Sequence, residues 1–428
     1  MNQATSPQRL GPILLSTWAL LLGFGILMLG DGLQATLLAV RADQEGFSAT
    51  ITGLIMSSFY IGFLSGSILA PRIMVQVGHV RVFAAFAAMA SAAILVHAVF
   101  IEVWIWIALR LVSGFCFAGL YVVAESWLNE RATNQTRGKL LSIYMVVTYV
   151  GVGLGQLLLN LADPRDFPLF VLTSILISIA VVPLLLSATE SPGHEKSVNI
   201  RILALYRISP LGMLGMFMVG LVTATFFALG PVYAQRLGLS LREISWFMTA
   251  AVIGTVLMQW PIGALSDRFD RRKVLTVTTV LAGLSAIGCI PLSRGDSLIL
   301  LLAVGGFCGL ALPLYSVCIA YINDHLDPSQ MIAASGTLVL VGGLGAVAGP
   351  VVVAAMMDWF GNTWFFWCMG FAHLFTGLFG TWRMTRRRVL RKGPRLSVTP
   401  TAMHPSSAAF ECMQQHAKED WESGEGTS

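Results

Sequence analysis

The chain has 428 residues, of which 56% are hydrophobic and only 11% are charged. Soluble globular chains usually carry about 25% charged residues, so this composition excludes an ordinary water-soluble protein. The formal net charge of +5 is modest, and the distribution of basic residues between loops accounts for it without nucleic-acid binding.

Twelve apolar stretches of about twenty residues or more follow one another along the chain. A hydrocarbon core of roughly 30 Å needs about 20 helical residues, and continuous apolar runs favour helices over the alternating strands of a barrel. We therefore predict an all-α polytopic membrane protein whose first apolar stretch is an uncleaved span. The predicted spans are 13–37, 51–71, 82–101, 103–128, 139–160, 168–188, 209–233, 243–263, 274–292, 297–320, 332–357 and 363–382.

A polar stretch between the sixth and seventh spans divides the chain into halves that repeat each other. A shift of 192 residues places similar residues in the same loop and span context, and internal repeats are common in secondary transporters. The matched pairs are Gly46 with Gly238, Ser48 with Ser240, Gly62 with Gly254, and Val82 with Val274. We predict an N-terminal six-helix bundle over 1–189, a cytoplasmic linker over 190–207, a C-terminal bundle over 208–383, and a basic, disordered cytoplasmic tail over 384–428.

The placement of basic residues predicts the orientation in the membrane. With the N-terminus inside, most lysines and arginines lie on the cytoplasmic side, as the positive-inside rule requires. The opposite side has only five basic residues: Arg41, Arg165, Arg236, Arg242 and Arg294. We expect a multi-pass protein of the bacterial inner membrane with both termini in the cytoplasm, in contact with membrane lipid.

The loop after the eighth span carries the most specific motif, Gly263-Ala-Leu-Ser-Asp-Arg-Phe-Asp-Arg-Arg272. It resembles the loop signature of the major facilitator superfamily, G-x-L-S-D-R-x-x-R-R. The resemblance implies two pseudo-symmetric six-helix bundles around a central cavity, a monomer, and a cytoplasmic gate. In the corresponding loop of the first half, Val75 stands where the aspartate is expected. The gate residues are predicted to be Gly263, Asp267, Arg268, Arg271, Arg272 and, from span four, Glu125.

Two of these gate residues leave alternatives open. Asp267 can accept hydrogen bonds from the start of a nearby helix or pair with an arginine. Glu125 can act in the gate by pairing with Arg131 or Arg137, or it can serve as a second protonation site.

Two charged residues lie inside the predicted spans, Asp31 in span one and Arg110 in span four. Both are about six residues, or about 9 Å, from the outer end of their span, which predicts that they pair. Arg110 with Gly114 is similar to the span-four motif of proton-coupled antiporters in the superfamily. This resemblance implies that Asp31 and Arg110 form a proton switch; the alternative is a permanent ion pair that serves only folding.

Other polar residues inside the spans are candidates for the substrate cavity, although packing is an alternative role for each. The candidates are Gln34, Tyr60, Tyr149 and Gln259. Span five also resembles the antiporter motif G-x-x-x-G-P through Gly151 and Gly155, with Gln156 in place of the proline.

The sequence contains no phosphate-binding loop, no nucleophile with a matching base, and no metal-ligand spacing. We therefore expect neither an enzyme nor a cofactor. The expected function is proton-coupled transport of a small solute, with export of a drug-like compound or metabolite as the first hypothesis. Uptake of a nutrient or of an aromatic vitamin such as riboflavin is the alternative, and a transport-inactive sensor or scaffold is a further one.

Overall fold

The structure is a computed structural model that describes residues 10–131, 137–186, 202–326 and 328–386. Within these ranges the chain is helical and has no strand, as predicted. The helices are α1 (Leu10–Gln44), α2 (Ala49–Val77), α3 (His79–Val99), α4 (Val103–Arg131), α5 (Arg137–Leu157), α6 (Pro168–Ile179), α7 (Val182–Leu186), α8 (Ile202–Ile208), α9 (Pro210–Arg236), α10 (Leu241–Arg268), α11 (Arg271–Leu292), α12 (Ser297–Ala311), α13 (Leu314–Asn323), α14 (Pro328–Phe360) and α15 (Trp364–Arg386).

Eleven helical stretches of the described chain are long and apolar enough to cross a membrane. The twelfth predicted span is α15, whose 23 residues also suffice in length; its histidine, tryptophans and glycines make it less apolar than the others. Two predicted spans are interrupted: α6 gives way to α7, and α12 to α13. Pro313 stands at the second break, where it cannot donate a backbone hydrogen bond to the preceding turn.

The helices pack as two similar groups, α1–α7 and α9–α15. In the first group α2 packs on α4 and α1 on α5; in the second, α10 packs on α12 and α9 on α14. The groups meet where α2 contacts α14, α5 contacts α10, and α1 contacts α9. This is the predicted arrangement of two six-helix bundles. Of the predicted linker, α8 is described, while residues 187–201 and the tail from 387 lie outside the described residues.

The internal repeat is visible in local structure. Gly46 and Gly238 both have positive φ, 79° and 83°, a conformation that glycine adopts without strain. Two residues later, Ser48 and Ser240 each accept a hydrogen bond from the backbone of the helix that they begin. The 192-residue shift therefore relates the same glycine turn and a serine at the same N-cap position in both halves.

The shift also relates two close helix crossings. A Cβ atom on Gly62 would collide with the backbone of Leu111 in α4, and one on Gly254 would collide with the backbone of Gly305 in α12. Small residues of this kind let membrane helices approach closely.

Large apolar side chains cover the outside of the bundle. Trp104, Trp260 and Leu186 are each about 80% exposed. Exposed apolar surface of this extent would be an aggregation liability in water, whereas lipid is a suitable solvent for it. The described chain is that of a multi-pass membrane protein.

Candidate functional site

A cavity of about 40 Å³ lies between the two groups of helices. It is built from α1, α2, α4 and α5 of the first group and from α9 of the second. Its lining residues are Asp31, Gly32, Ala35, Met56, Phe59, Tyr60, Arg110, Val152, Gln156, Phe227 and Ala228.

Asp31 reaches the cavity from α1, which packs tightly against α5. A Cβ atom on the next residue, Gly32, would collide with the backbone of Val152, so only glycine allows this approach. Helix α1 continues to Gln44, about two turns beyond the predicted end at Leu37. Asp31 is therefore farther from the end of its helix than the sequence indicates.

Arg110 reaches the same cavity from α4 and is 5% exposed. Its guanidinium carbon lies 4.3 Å from the centre of the Phe59 ring, a favourable cation–π distance. Its Nε atom is buried without a hydrogen-bond partner among the described residues.

The structure brings Asp31 and Arg110 to one cavity but does not pair them. Among the ion pairs within 4.0 Å in the described chain, none joins these two residues. The prediction of a close pair is therefore wrong for this conformation. The physical reason is that the guanidinium lies over the Phe59 ring instead.

Of the four polar cavity candidates, Tyr60 lines the cavity and the other three do not. Gln34 is buried, and neither atom of its amide has a hydrogen-bond partner among the described residues. Tyr149 is also buried. Gln259 donates from Nε2 to the hydroxyl of Ser316 at 3.0 Å, which fits the alternative of a packing contact between helices.

Gln156 is a cavity residue that the sequence analysis did not select. Thr36 donates a hydrogen bond to its Oε1 atom, while its Nε2 atom is buried without a partner in the described chain. The signal was present, because Gln156 stands where the resembled antiporter motif has proline. Phe59 and Phe227 were also missed, since aromatic residues inside an apolar span carry no distinguishing pattern.

The loop motif forms an ion cluster around a buried arginine at the end of α10. Arg271 is 2% exposed; it donates from Nη2 to Asp267 at 2.9 Å and from Nη1 to Asp324, just after α13, at 2.5 Å. Asp267 thus pairs with an arginine, which is one of its two predicted options. At the start of α11, Asp270 accepts a hydrogen bond from the backbone N–H of Arg272 at 2.9 Å.

Of the other predicted gate residues, three belong to the same α10–α11 segment and Glu125 belongs to α4. Gly263 is buried in α10, Arg268 is exposed, and Arg272 is partly exposed. Glu125 is fully buried in α4 and accepts a hydrogen bond from the hydroxyl of Tyr144 at 3.1 Å. Whether it also pairs with an arginine stays a prediction, because the side chain of Arg137 lies outside the described residues.

A second charged network joins the two helix groups at the opposite side of the bundle, called here the outer side. Arg236, at the end of α9, donates to Asp43 of α1 at 2.8 Å and lies 3.6 Å from Asp358 of α14. Asp358 also accepts from the backbone N–H groups of Ala49 and Thr50, at the start of α2, at 3.1 and 2.8 Å. The sequence analysis counted Arg236 only as one of the five outer basic residues.

Two repeated six-helix groups with charged side chains in a cavity between them define a polytopic membrane transporter. The chain belongs to the major facilitator superfamily, whose family model matches residues 20–241 and 212–411.

Among its relatives, the uncharacterized MFS-type transporter YcaD of Escherichia coli (strain SE11) is 29% identical over 350 residues. The match covers 81% of this chain and 90% of YcaD. The YcaD of Shigella sonnei (strain Ss046) matches to the same extent.

Solved structures share the fold at low sequence identity. The nucleoside transporter NupG is 12% identical with a TM-score of 0.74, over 87% of this chain and 100% of NupG. A bacterial homologue of the human lysosomal transporter Spinster, in an inward-facing and unoccupied conformation, is 14% identical with a TM-score of 0.64. That match covers 96% of this chain and 98% of the homologue. At these identities the likeness concerns the fold alone.

Proposed function

We propose that the protein is a proton-coupled transporter that exports a small solute from the cytoplasm by alternating access. The observation that carries this proposal is the placement of Asp31 and Arg110, two opposite charges, in one buried cavity where the helix groups meet. In this proposal the protein works as a monomer in the bacterial inner membrane, with both termini in the cytoplasm.

The proton step depends on the distance between Asp31 and Arg110. A nearby guanidinium favours the carboxylate form of an aspartate, and a low-dielectric surrounding favours its neutral form. A rearrangement that moves Arg110 relative to Asp31 would therefore load or release a proton. Arg110 lies over the Phe59 ring and forms no ion pair with Asp31 in this conformation, so the proposed step requires the distance between them to differ in another conformation.

Proton movement is coupled to solute movement if the proton and the solute both bind in the same cavity. Phe227 and Ala228, from the second helix group, complete the wall around Asp31. Separation of the groups on one side would open this wall, and binding of proton or solute would shift the balance between the two states.

The proposal is tested in a bacterium that lacks its major efflux pumps. Wild type, Asp31→Asn and Glu102→Gln are compared at matched membrane levels for accumulation of dyes, antibiotics and fluorescent metabolites. Glu102 is exposed just before α4, so its variant controls for loss of one carboxylate away from the cavity. We expect wild type and Glu102→Gln to lower the accumulation of at least one compound, and Asp31→Asn to fail.

Two other results would each replace the export proposal. A compound such as riboflavin that enters faster in the presence of wild type would indicate uptake, with Asp31→Asn testing the same coupling. If no compound moves and Asp31→Asn changes only the amount of folded protein, the chain is a sensor or scaffold.

A further inference from the structure

The cavity holds an acidic and a basic side chain that do not form an ion pair within 4.0 Å. Asp31 and Arg110 both line it, yet no ion pair within 4.0 Å joins them in the described chain. Buried charges are costly unless they are paired and hydrogen-bonded. A ligand that carries one charge of each sign would satisfy both residues, whereas a ligand with a single charge would leave one of them unsatisfied.

Two buried hydrogen-bond donors without partners in the described chain belong to residues that line the same cavity. Arg110 Nε and Gln156 Nε2 are both buried without partners in the described chain, and the two side chains are 5% and 0% exposed. Both atoms are donors only, so the group that they await is an acceptor. A carboxylate fits best because a guanidinium can bind its two oxygens together.

Three aromatic side chains also line the cavity, beside small and aliphatic residues. Phe59 and Tyr60 come from α2, with ring centres 5.5 Å apart in an edge-to-face arrangement. Phe227 faces them from α9 of the second helix group. Aromatic rings prefer offset or edge contacts with another ring, so this wall suits the ring of a ligand.

We infer that the cavity binds a small aromatic zwitterion, with its ammonium at Asp31, its carboxylate at Arg110 and Gln156, and its ring against Phe59, Tyr60 and Phe227. This inference rests on the proposed function, since it names the chemical class of solute for the same site. A volume of about 40 Å³ holds only a few waters. The zwitterion therefore enters when the helix groups part and α9 withdraws its side of the wall.

The test uses four compounds that share a phenyl ring and differ in charge. L-phenylalanine is zwitterionic, phenethylamine is cationic, hydrocinnamate is anionic and phenethyl alcohol is neutral. Binding to the purified full chain in lipid nanodiscs is measured by calorimetry near pH 7, without any ion gradient. We expect the zwitterion to bind about tenfold or more tightly than each of the other three, because only it satisfies both charges.

Variants test which charge each residue recognises. Asp31→Asn should abolish the advantage of L-phenylalanine over hydrocinnamate, and Arg110→Gln its advantage over phenethylamine. Glu102→Gln should preserve the wild-type order. If a cavity variant fails to fold, the wild-type series still decides, since equal or tighter binding of the cation, the anion or the alcohol would overturn the inference.

The experiments distinguish failure of the binding inference from failure of the proposed transport function. Selective zwitterion binding without movement of any solute would support the inference and remove the proposed transport function. Proton-coupled export of cations or neutral compounds, with no zwitterion binding, would support the function and remove the inference.

Discussion

The missing side chain of Gly114 sets the distance between α2 and α4. A Cβ atom there would collide with the carbonyl oxygen of Phe59, and one on Gly62 would collide with that of Leu111. Phe59 also carries the Arg110 guanidinium. The contact between these helices therefore positions one of the two cavity charges, which links a packing requirement to the site.

We expect Gly114→Ala to destabilise the protein by about 1–3 kcal/mol, because added volume at a closed contact forces backbone shifts. The apparent Tm of detergent-purified protein measures this. Gly288→Ala is the matched control, since a Cβ atom at Gly288 meets nothing within 4 Å; its Tm should stay near that of wild type. Equal Tm values for the two variants would show that the α2–α4 contact is looser than described.

The ion cluster at the end of α10 depends on Arg271, which contacts both of its carboxylates. Arg271→Gln leaves the carboxylates of Asp267 and Asp324 without the guanidinium that joins them. Hydrogen bonds to charged groups contribute about 1.5–3 kcal/mol each, and partial exposure of both carboxylates lowers that figure. We expect a loss of about 2 kcal/mol in unfolding free energy.

The matched control for this prediction is Lys273→Gln, which also removes one positive charge from the start of α11. Lys273 is exposed, so its removal should change stability by less than about 0.5 kcal/mol. Urea or thermal unfolding of both variants measures the difference. A similar loss for both would mean that general charge balance, and not the cluster, is responsible.

Sequence reasoning located the charges of the site but not their geometry. Asp31 and Arg110 stood out because charge is rare inside a span, and both line the cavity. Their separation depends on Phe59, whose ring is indistinguishable in sequence from any other apolar side chain. Gln34 lies three residues after Asp31 and shares its helix face, but this spacing does not show which part of the face the neighbouring helix covers.

Among the helices, the two halves begin equivalent elements with different caps. Ser240 and Glu243 form a capping box at the start of α10, with each side chain bonded to the other residue's backbone N–H. At the start of α2, Ser48 caps Ile51, and the neighbouring N–H groups are satisfied by Asp358 of the other half. The start of α2 is therefore capped partly by a residue of the other half, whereas the start of α10 is capped by its own residues.

This difference predicts unequal effects of the same substitution. Ser240→Ala removes the side-chain acceptor of the Glu243 N–H and the hydroxyl's hydrogen bond to the Glu243 carboxylate, and should cost about 1 kcal/mol; the bond from the backbone N–H of residue 240 to that carboxylate remains. Ser48→Ala removes the acceptor of the Ile51 N–H, leaves the N–H bonds that Asp358 accepts in place, and should cost less. Apparent Tm values in one detergent provide the comparison, and a larger loss for Ser48→Ala would contradict this account of the caps.

Helix ends were predictable to within about two turns, because hydropathy marks the lipid-crossing part of each span directly. The parts of the helices that extend beyond the lipid could not be predicted in this way. Helix α1, for example, continues to Gln44. The break between α12 and α13 was missed although Pro313 was visible, because proline is tolerated inside membrane helices when neighbours satisfy the freed backbone groups.

For the molecule as a whole, the two halves repeat the same helix packing but do not repeat the same charged residues. Asp267 and Arg271 correspond by the 192-residue shift to Val75 and His79. His79 is buried and lies 3.2 Å from the hydroxyl of Ser126, where its counterpart Arg271 binds carboxylates. Among the described residues, the ion cluster around Arg271 therefore has no counterpart at the matching position of the first half, which makes the two halves chemically unequal there.

The outer side has the opposite character, because its ion network joins the halves to each other. Arg236 bridges Asp43 of the first half and Asp358 of the second, and Asp358 caps α2 of the first. These contacts can exist only while the outer ends of α1, α2, α9 and α14 lie together. They therefore stabilise states that are closed on the outer side, relative to states that are open there.

We expect Arg236→Gln to shift the population toward outer-open states by about 1–2 kcal/mol, which is roughly a tenfold change in the equilibrium. The measurement is alkylation of Ala35→Cys, in the cavity, by a membrane-impermeant maleimide added from the outer side. The five native cysteines in the described chain are buried or partly buried, and protein without the added cysteine gives the background rate.

Arg242→Gln supplies the matched control, since Arg242 is an exposed arginine near the same side and takes no part in the network. Arg236→Gln should raise the alkylation rate about tenfold, whereas Arg242→Gln should leave it unchanged. High salt should not reproduce the effect fully, because the network is only partly exposed and partly buried pairs are screened less than surface pairs. An unchanged rate in Arg236→Gln would mean that apolar contacts between α2 and α14, rather than these charges, hold the outer side closed.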